Sequence, residues 1–209
     1  MIEKPLASII VLAYNQEKYI VHTLEGLLMQ RTSFPYEIIV HDDASSDSTS
    51  DIIRSYALNY PSIIKPNLQK ENKYSVYGIS FQFDYVFSEA RGRYIAMCAG
   101  DDYWIDPLKL QKQVDFLEKN PDYGLIHTKA VIYKEETKRF EGVHGYEVSD
   151  FEGLLTENTI ATLTVCLRNS LLKQYLKEIN PQTKFEWTAE DFPIWLWFIN
   201  HSKIKFIKD

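Results

Sequence analysis

The stretch "LASIIVLAYNQEKYIVHTLEGLL", residues 6–28, decides how the rest of the chain is read. From Leu6 to Ala13 it is apolar except for Ser8, the pattern of a strand covered on both faces. Ile20, Leu24, Leu27 and Leu28 then recur at i, i+4, i+7 and i+8, which is one face of an amphipathic helix. A doubly covered strand that feeds a helix is the unit of a parallel α/β sheet, because parallel neighbours need a crossover connection.

The same rhythm continues outward. "YEIIVHDD" (36–43) predicts a second strand, and "ASSDST" after it is rich in helix-capping residues, with Asp47 or Ser48 the cap. Ile52, Ile53, Tyr56, Ala57 and Tyr60 line a second helix that stops before Pro61. "SIIKPN" predicts a short third strand, and Val86, Phe87 and Ala90 a third helix capped by Gly92. "RYIAMCA" (93–99) is the next strand. "DPLKLQKQVDFLEKNPD" predicts a helix with Asp106 as N-cap, Pro107 at N1 and Pro121 beyond its end. After Tyr123 the rhythm changes: a longer strand at 123–133, a hairpin or loop at 134–149, a strand at 160–167, a helix at 169–178, a helix from 188 to 199 and a last strand at 203–207. With no repeat, low-complexity tract or linker, the expectation is one α/β domain over 1–209. Its sheet is Rossmann-like, mixed and mostly parallel, flanked by helices.

Composition sets limits on partners. Apolar residues make up 45% of the 209 and charged residues 25%, which is a foldable chain. The net charge of −6 argues against a polyanion-binding surface, so nucleic acid is not expected as a partner. Cys98 and Cys166 lack metal-type spacing and read as small core residues of a reduced, cytoplasmic chain. No run approaches the ~20 apolar residues that a membrane span requires. The N-terminal run lacks the basic flank and cleavage site of a signal peptide.

In an open parallel sheet, ligands sit beyond the carboxyl ends of the strands. Three polar groups fall there: "YNQE" after the first strand, "HDDASSD" after the second and "GDDYW" after the fourth. No G-x-G and no P-loop occurs, so a bound phosphate would need a carboxylate-held Mg²⁺ or Mn²⁺ to neutralise it. Asp101 and Asp102 fit that task; the alternative is a solvated turn ahead of Asp106. Asp42 and Asp43 pose the same choice between a capping group and a ligand for a base N–H or ribose hydroxyls. His41 reads as a structural hydrogen-bonding group rather than a metal ligand, and the other four histidines form no cluster. Trp195 and Trp197 read as core; Trp187 is the candidate for a sugar platform.

Taken together, "IIVLAYNQEKYI", "EIIVHDDASSDST", "ARGRYIAMCAGDDYW", "TVCLRNSLL" and "AEDFPIWLWF" resemble the ordered motif set of family 2 glycosyltransferases over roughly residues 5 to 200. The resemblance implies the GT-A fold, with a nucleotide-binding half to about residue 105 and an acceptor half after it. It implies inverting transfer of a hexose or amino sugar from a nucleoside-diphosphate-sugar, a UDP-sugar by preference, to a glycan or lipid-linked saccharide, as in surface polysaccharide synthesis. It assigns Ala13, Tyr14, Asn15, Glu17, Asp43 and Asp101 to the donor, with Tyr14 facing the base and Asp43 the uracil or ribose. Asp102, with Asp101, takes the metal, Mg²⁺ or Mn²⁺. The "ED" pair, Glu190 and Asp191, is catalytic, with Asp191 the base; the bland reading is two acids compensating a helix dipole behind Thr188.

Two departures stand out. Ala99 occupies a position where relatives often carry an acid, and Asp209 comes where relatives usually continue into acceptor-binding or membrane-associating segments. Peripheral association with the inner face of the membrane is compatible with this. Two rivals remain: a catalytically silent nucleotide-sugar-binding module, which donor hydrolysis would exclude, and a sugar nucleotidyltransferase, whose glycine-rich first loop is missing.

Overall fold

The structure, a computed structural model, describes residues 4–78, 86–148, 150–181, 189 and 191–208. The elements run β1 (Ala7–Ala13), α1 (Ile20–Leu28), β2 (Tyr36–Asp42), α2 (Thr49–Asn59), β3 (Ile64–Leu68), α3 (Lys73–Tyr77) and β4 (Tyr94–Ala99). There follow α4 (Lys109–Lys119), β5 (Tyr123–Thr128), β6 (Ala130–Lys134), β7 (Arg139–His144), α5 (Phe151–Thr156), β8 (Cys166–Arg168), α6 (Asn169–Ile179), α7 (Asp191–His201) and β9 (Lys203–Ile207). The main sheet has the order β3-β2-β1-β4-β8-β5-β9, and β6 and β7 form a separate two-stranded ribbon. β8 runs antiparallel to both of its neighbours, β4 and β5, while the other pairings are parallel. The mixed, mostly parallel sheet flanked by helices is therefore as expected.

Alternation along the strands builds two apolar layers. Ile9, Val11, Ala96 and Cys98 face one side, where Leu24 and Leu27 of α1 and Leu110, Val114 and Leu117 of α4 cover them. Ile10, Ile39, Ile95 and Met97 face the other, under Leu172 and Tyr175 of α6 and Ile194, Trp195 and Phe198 of α7. Each fully buried Val, Leu, Ile, Met or Phe side chain among these contributes ~1.5–3 kcal/mol. Cys98 and Cys166 are buried free thiols, and Trp195 and Trp197 are core residues. Among the described residues no helix is long and apolar enough to cross a membrane.

Ser8, the polar exception in β1, is fully buried and satisfied. Its hydroxyl donates to Glu37 Oε1 (2.7 Å) and accepts the Gly92 N–H (2.8 Å). Glu37, buried on β2, also accepts from the Arg91 backbone N–H (3.0 Å) and its guanidinium. This network joins three strands at their amino ends.

Several expectations are corrected. Around 86–90 the described residues form only a 3-10 turn, Phe87–Glu89, and Ala90 is extended. Gly92 is not a left-handed cap, since the positive-φ glycines are Gly78 and Gly145. It is glycine because a Cβ there would stand 2.5 Å from the Ser8 nitrogen. The helix expected from Pro107 starts at Lys109; Asp106 closes the turn before it, accepting the Leu108 N–H at 2.8 Å. The long strand expected at 123–133 is divided: β5 ends at Thr128, and residues 130–134 pair with β7 instead. The chain then leaves the sheet as the β6–β7 hairpin. The strand expected at 160–167 is a 3-10 turn, Thr162–Thr164, followed by the three residues of β8. α3 and α5 carry too few residues for a periodic signal and were not anticipated.

Close packing at Gly92 has a measurable consequence. Gly92→Ala and Gly92→Asn should both lower stability in urea unfolding by ~1–3 kcal/mol. A left-handed cap would instead tolerate asparagine, so an unperturbed Gly92→Asn would overturn the packing account.

Candidate active site

The carboxyl ends of β2, β1 and β4 lie side by side, with Val11 opposite both Val40 and Cys98. Two loops there are joined by hydrogen bonds. The Asn15 N–H donates to Ser45 Oγ (2.9 Å), and Asn15 Oδ1 accepts the Ser46 N–H (2.8 Å). The Gln16 N–H reaches Thr49 Oγ1 (2.8 Å), the Glu17 N–H reaches Asp47 Oδ2 (3.1 Å), and Glu17 Oε2 accepts the Ser48 N–H (3.0 Å). Asn15 and Ala44 adopt left-handed backbone, at φ 52° and 61°, to make these turns. Asp42, fully buried, accepts from the Ser45 N–H (3.2 Å), the Ser45 hydroxyl and the Ser50 hydroxyl (2.5 Å). The capping cluster "ASSDST" is thus also a docking strip, and Asn15 Oδ1 and Glu17 Oε2 are engaged in it.

Beside this joint is a cleft of about 380 Å³, lined by Ala13, Tyr14, Gln16, His41, Asp43 and Tyr74 among others. Asp43 is held at both oxygens: Oδ1 accepts the Lys73 N–H (2.6 Å) and Oδ2 the Tyr74 N–H (2.9 Å). Its own N–H donates to the Ala13 carbonyl (3.0 Å). These amides open α3, whose cap Asn72 accepts the Ser75 N–H (2.6 Å). Asn72 and Tyr74 are therefore cleft residues that sequence reasoning missed; the one available signal was the asparagine three residues ahead of Ser75. His41 is fully buried, with Nε2 3.9 Å from Asp43 Oδ1. Burial pulls its pKa down, against the pull of Asp43 and Asp42. The Tyr14 side chain lies at the cleft and is half-exposed.

The acidic turn follows β4. The Gly100 N–H donates to the Leu12 carbonyl (2.9 Å), the Thr23 hydroxyl to the Gly100 carbonyl (2.9 Å), and the Asp102 N–H to the Ala99 carbonyl (3.1 Å). Asp101 is exposed and Asp102 half-buried. Burial, then the neighbouring Asp101, pushes the Asp102 carboxyl from 3.8 up to about 6. Among the described residues no group of three or more His, Cys, Asp and Glu could hold a metal. Trp104, buried just beyond, lies with its backbone against Gly26 of α1, where a Cβ would meet the Trp104 carbonyl at 2.7 Å.

Asp191 begins α7. The Thr162 hydroxyl donates to Asp191 Oδ2, and Asp191 Oδ1 accepts the Phe192 N–H (2.7 Å). Thr162 belongs to the 3-10 turn, whose Leu163 carbonyl accepts the Trp104 indole N–H (2.9 Å). Trp104, two residues after Asp102, is thus linked through this turn to Asp191. Glu190, Thr188 and Trp187 lie outside the described residues. The turn at 162–164 was hidden from sequence reading because its threonines look strand-forming.

With this geometry in view, the chain matches the model of glycosyl transferase family 2 over residues 8–179, and it belongs to that family. It is 43% identical over 164 residues to an uncharacterized protein of Mycobacterium tuberculosis, Rv1520, covering 77% of this chain and 46% of that protein. It therefore spans about half the length of that relative. The fold is similar to that of Staphylococcus aureus TarS 1–349 in complex with UDP, with TM-score 0.70 and 20% identity over 97% of this chain and 58% of that one. The mannosyltransferase PcManGT of Pyrobaculum calidifontis, in complex with GDP-Man and Mn²⁺, matches with TM-score 0.66 and 16% identity over 99% of this chain and 56% of its own. The architecture is that of a GT-A glycosyltransferase.

The raised carboxyl of Asp102 gives a signed pH prediction. Below about pH 4 it is protonated whether folded or unfolded. Between there and pH 6 the folded protein keeps a proton that the unfolded chain releases, so this group's stabilising contribution is lost as pH rises. In EDTA, Asp102→Asn should match wild type near pH 4 and exceed it at pH 7.5 by ~1 kcal/mol after allowance for solvent screening. Parallel stability–pH curves from chemical denaturation would show that Asp102 is not a strained carboxylate.

Proposed function

We propose that the protein is an inverting glycosyltransferase that uses a UDP-sugar and Mg²⁺ or Mn²⁺ to glycosylate a hydroxyl of a glycan or lipid-linked saccharide. The observation that carries this reading is the convergence, at adjacent strand ends, of the Tyr14–Asp43 cleft and the Asp101–Asp102 pair in a family 2 chain. Tyr14 provides an aromatic face for the base, and stacking of that kind is worth ~1–3 kcal/mol in single-strand binders. Asp43 keeps lone pairs beyond those used by the Lys73 and Tyr74 amides, available to a base N–H or ribose hydroxyl.

The hard carboxylate oxygens of Asp101 and Asp102 fit a divalent cation of the Mg²⁺ type, and the elevated Asp102 carboxyl marks a pair in want of a counter-charge. When bound there, the metal would neutralise charge on the departing diphosphate. Ala99 adds no third acid, so Asp101 and Asp102 would be the residues that hold the metal. In the transfer step, the acceptor oxygen attacks the anomeric carbon from the face opposite the diphosphate, and its proton passes to Asp191. The Thr162 hydroxyl and the Phe192 N–H hold that carboxylate in place.

UDP should bind much more tightly with Mn²⁺ than with EDTA, and Asp102→Asn should remove most of that difference; equal calorimetric affinities would overturn the metal reading. Asp191→Asn should leave UDP binding nearly intact while sugar transfer falls by ~10²-fold or more. Retained transfer in that variant would place the base elsewhere, and absence of UDP release from any UDP-sugar would favour the silent binding module.

A further inference from the structure

Lys109 opens α4 just behind the acidic turn and is almost fully buried. Among the described residues it forms no ion pair, and Asp106, the acid three residues before it, is paired with Lys112 (2.9 Å). Burial draws its amine down to about 8, against smaller opposing effects of Cys166, Cys98 and Asp106. A buried ammonium without a carboxylate is costly, and leucine or methionine would fill the same space without that cost.

Its contacts explain what the charge does. The ammonium stands 3.7 Å from the centre of the Trp104 ring, a desolvated cation–π contact. It also donates to Gln113 Oε1 (2.9 Å), one helical turn further along α4. An ammonium only donates, so it compels the Gln113 amide to present its oxygen inward and its NH₂ outward. That NH₂ donates to the Thr164 carbonyl (2.7 Å), while the Trp104 indole donates to the Leu163 carbonyl (2.9 Å). Two consecutive carbonyls of the 162–164 turn are thereby gripped by side chains that one ammonium orients. The same turn carries Thr162, which binds Asp191, and Trp104 lies two residues after Asp102.

We propose that Lys109 is a positioning residue: by locking Trp104 and Gln113 onto the 162–164 turn, it sets where the Asp191 carboxylate stands relative to the Asp101–Asp102 pair. This rests on the reading of those residues as base and metal ligands. The lock itself is a property of the packing and is testable apart from that reading.

The experiment uses protein labelled with 5-fluorotryptophan, whose four tryptophans give separate ¹⁹F resonances, with that of Trp104 assigned through Trp104→Phe. Lys109→Met keeps the aliphatic stem and removes the ammonium. It should shift and broaden the Trp104 resonance while UDP·Mn²⁺ affinity and donor KM stay within about threefold of wild type. Its kcat for UDP release from UDP-glucose or UDP-N-acetylglucosamine should fall ~10-fold or more, as expected for a misplaced catalytic group. Lys109→Arg, which restores a cation and donors, should recover much of that loss. If Lys109→Met does not fold, Gln113→Met cuts the second grip and should give the same split between kcat and KM. An unchanged Trp104 resonance in folded Lys109→Met, or equal losses in kcat and UDP affinity, would overturn the proposal. Asp191→Asn, assayed alongside, separates the two ideas: retained transfer there removes the base assignment, and the lock is then judged by the Trp104 resonance and UDP release.

Discussion

Parallel pairing of β1 with β2 on one side and β4 on the other is the constraint from which the rest follows. Seven consecutive residues of β1 are in register with β2 and six with β4. All three strands therefore end at one level and turn their following loops to the same edge. A parallel strand has no hairpin to cap it, so each strand end must be closed by its own loop and by neighbouring loops. The mutual hydrogen bonding of Asn15, Gln16 and Glu17 with residues 45–49 is how this chain closes the first two ends. The fully buried Ser8–Glu37–Gly92 network does the corresponding work at the opposite edge.

The edge so formed is electrostatically uneven. Asp42 and Asp43 are buried yet satisfied, one by serine hydroxyls and the other by backbone amides of α3. Among the described residues none hydrogen-bonds the Asp102 carboxyl, and burial with the neighbouring Asp101 pushes it up. Two pairs of aspartates that look alike in sequence thus differ physically: the first is built into the scaffold and the second retains an unmet demand for positive charge. Such a demand is what a cation-dependent site would exploit.

Long elements with clear periodicity were legible: β1, α1, β2, α2, β4, α6 and β9 stand within about two residues of the expected bounds. The misjudged segments share one cause. Residues 160–164 and 129–133 have strand-like composition, yet whether they join the main sheet depends on whether a partner strand is present alongside. Residues 130–134 pair with β7, apart from the main sheet, and the Thr164 N–H and hydroxyl both turn back to the Ala161 carbonyl (2.9 and 2.6 Å). Local composition carries no information about either circumstance.

The sequence by itself determined the α/β class, where most main strands fall along the chain and the presence of acidic groups at three strand ends, because hydrophobic period and capping chemistry are local properties of the chain. Only the tertiary structure decided which polar groups are spent on holding loops together and which remain available to a ligand. Asp191 meets Thr162 across 29 residues, Asp43 meets Lys73 across 30, and Trp104 meets Leu163 across 59. Each of these contacts joins segments that reach one another only after the sheet has formed, and no residue's identity announces its distant partner.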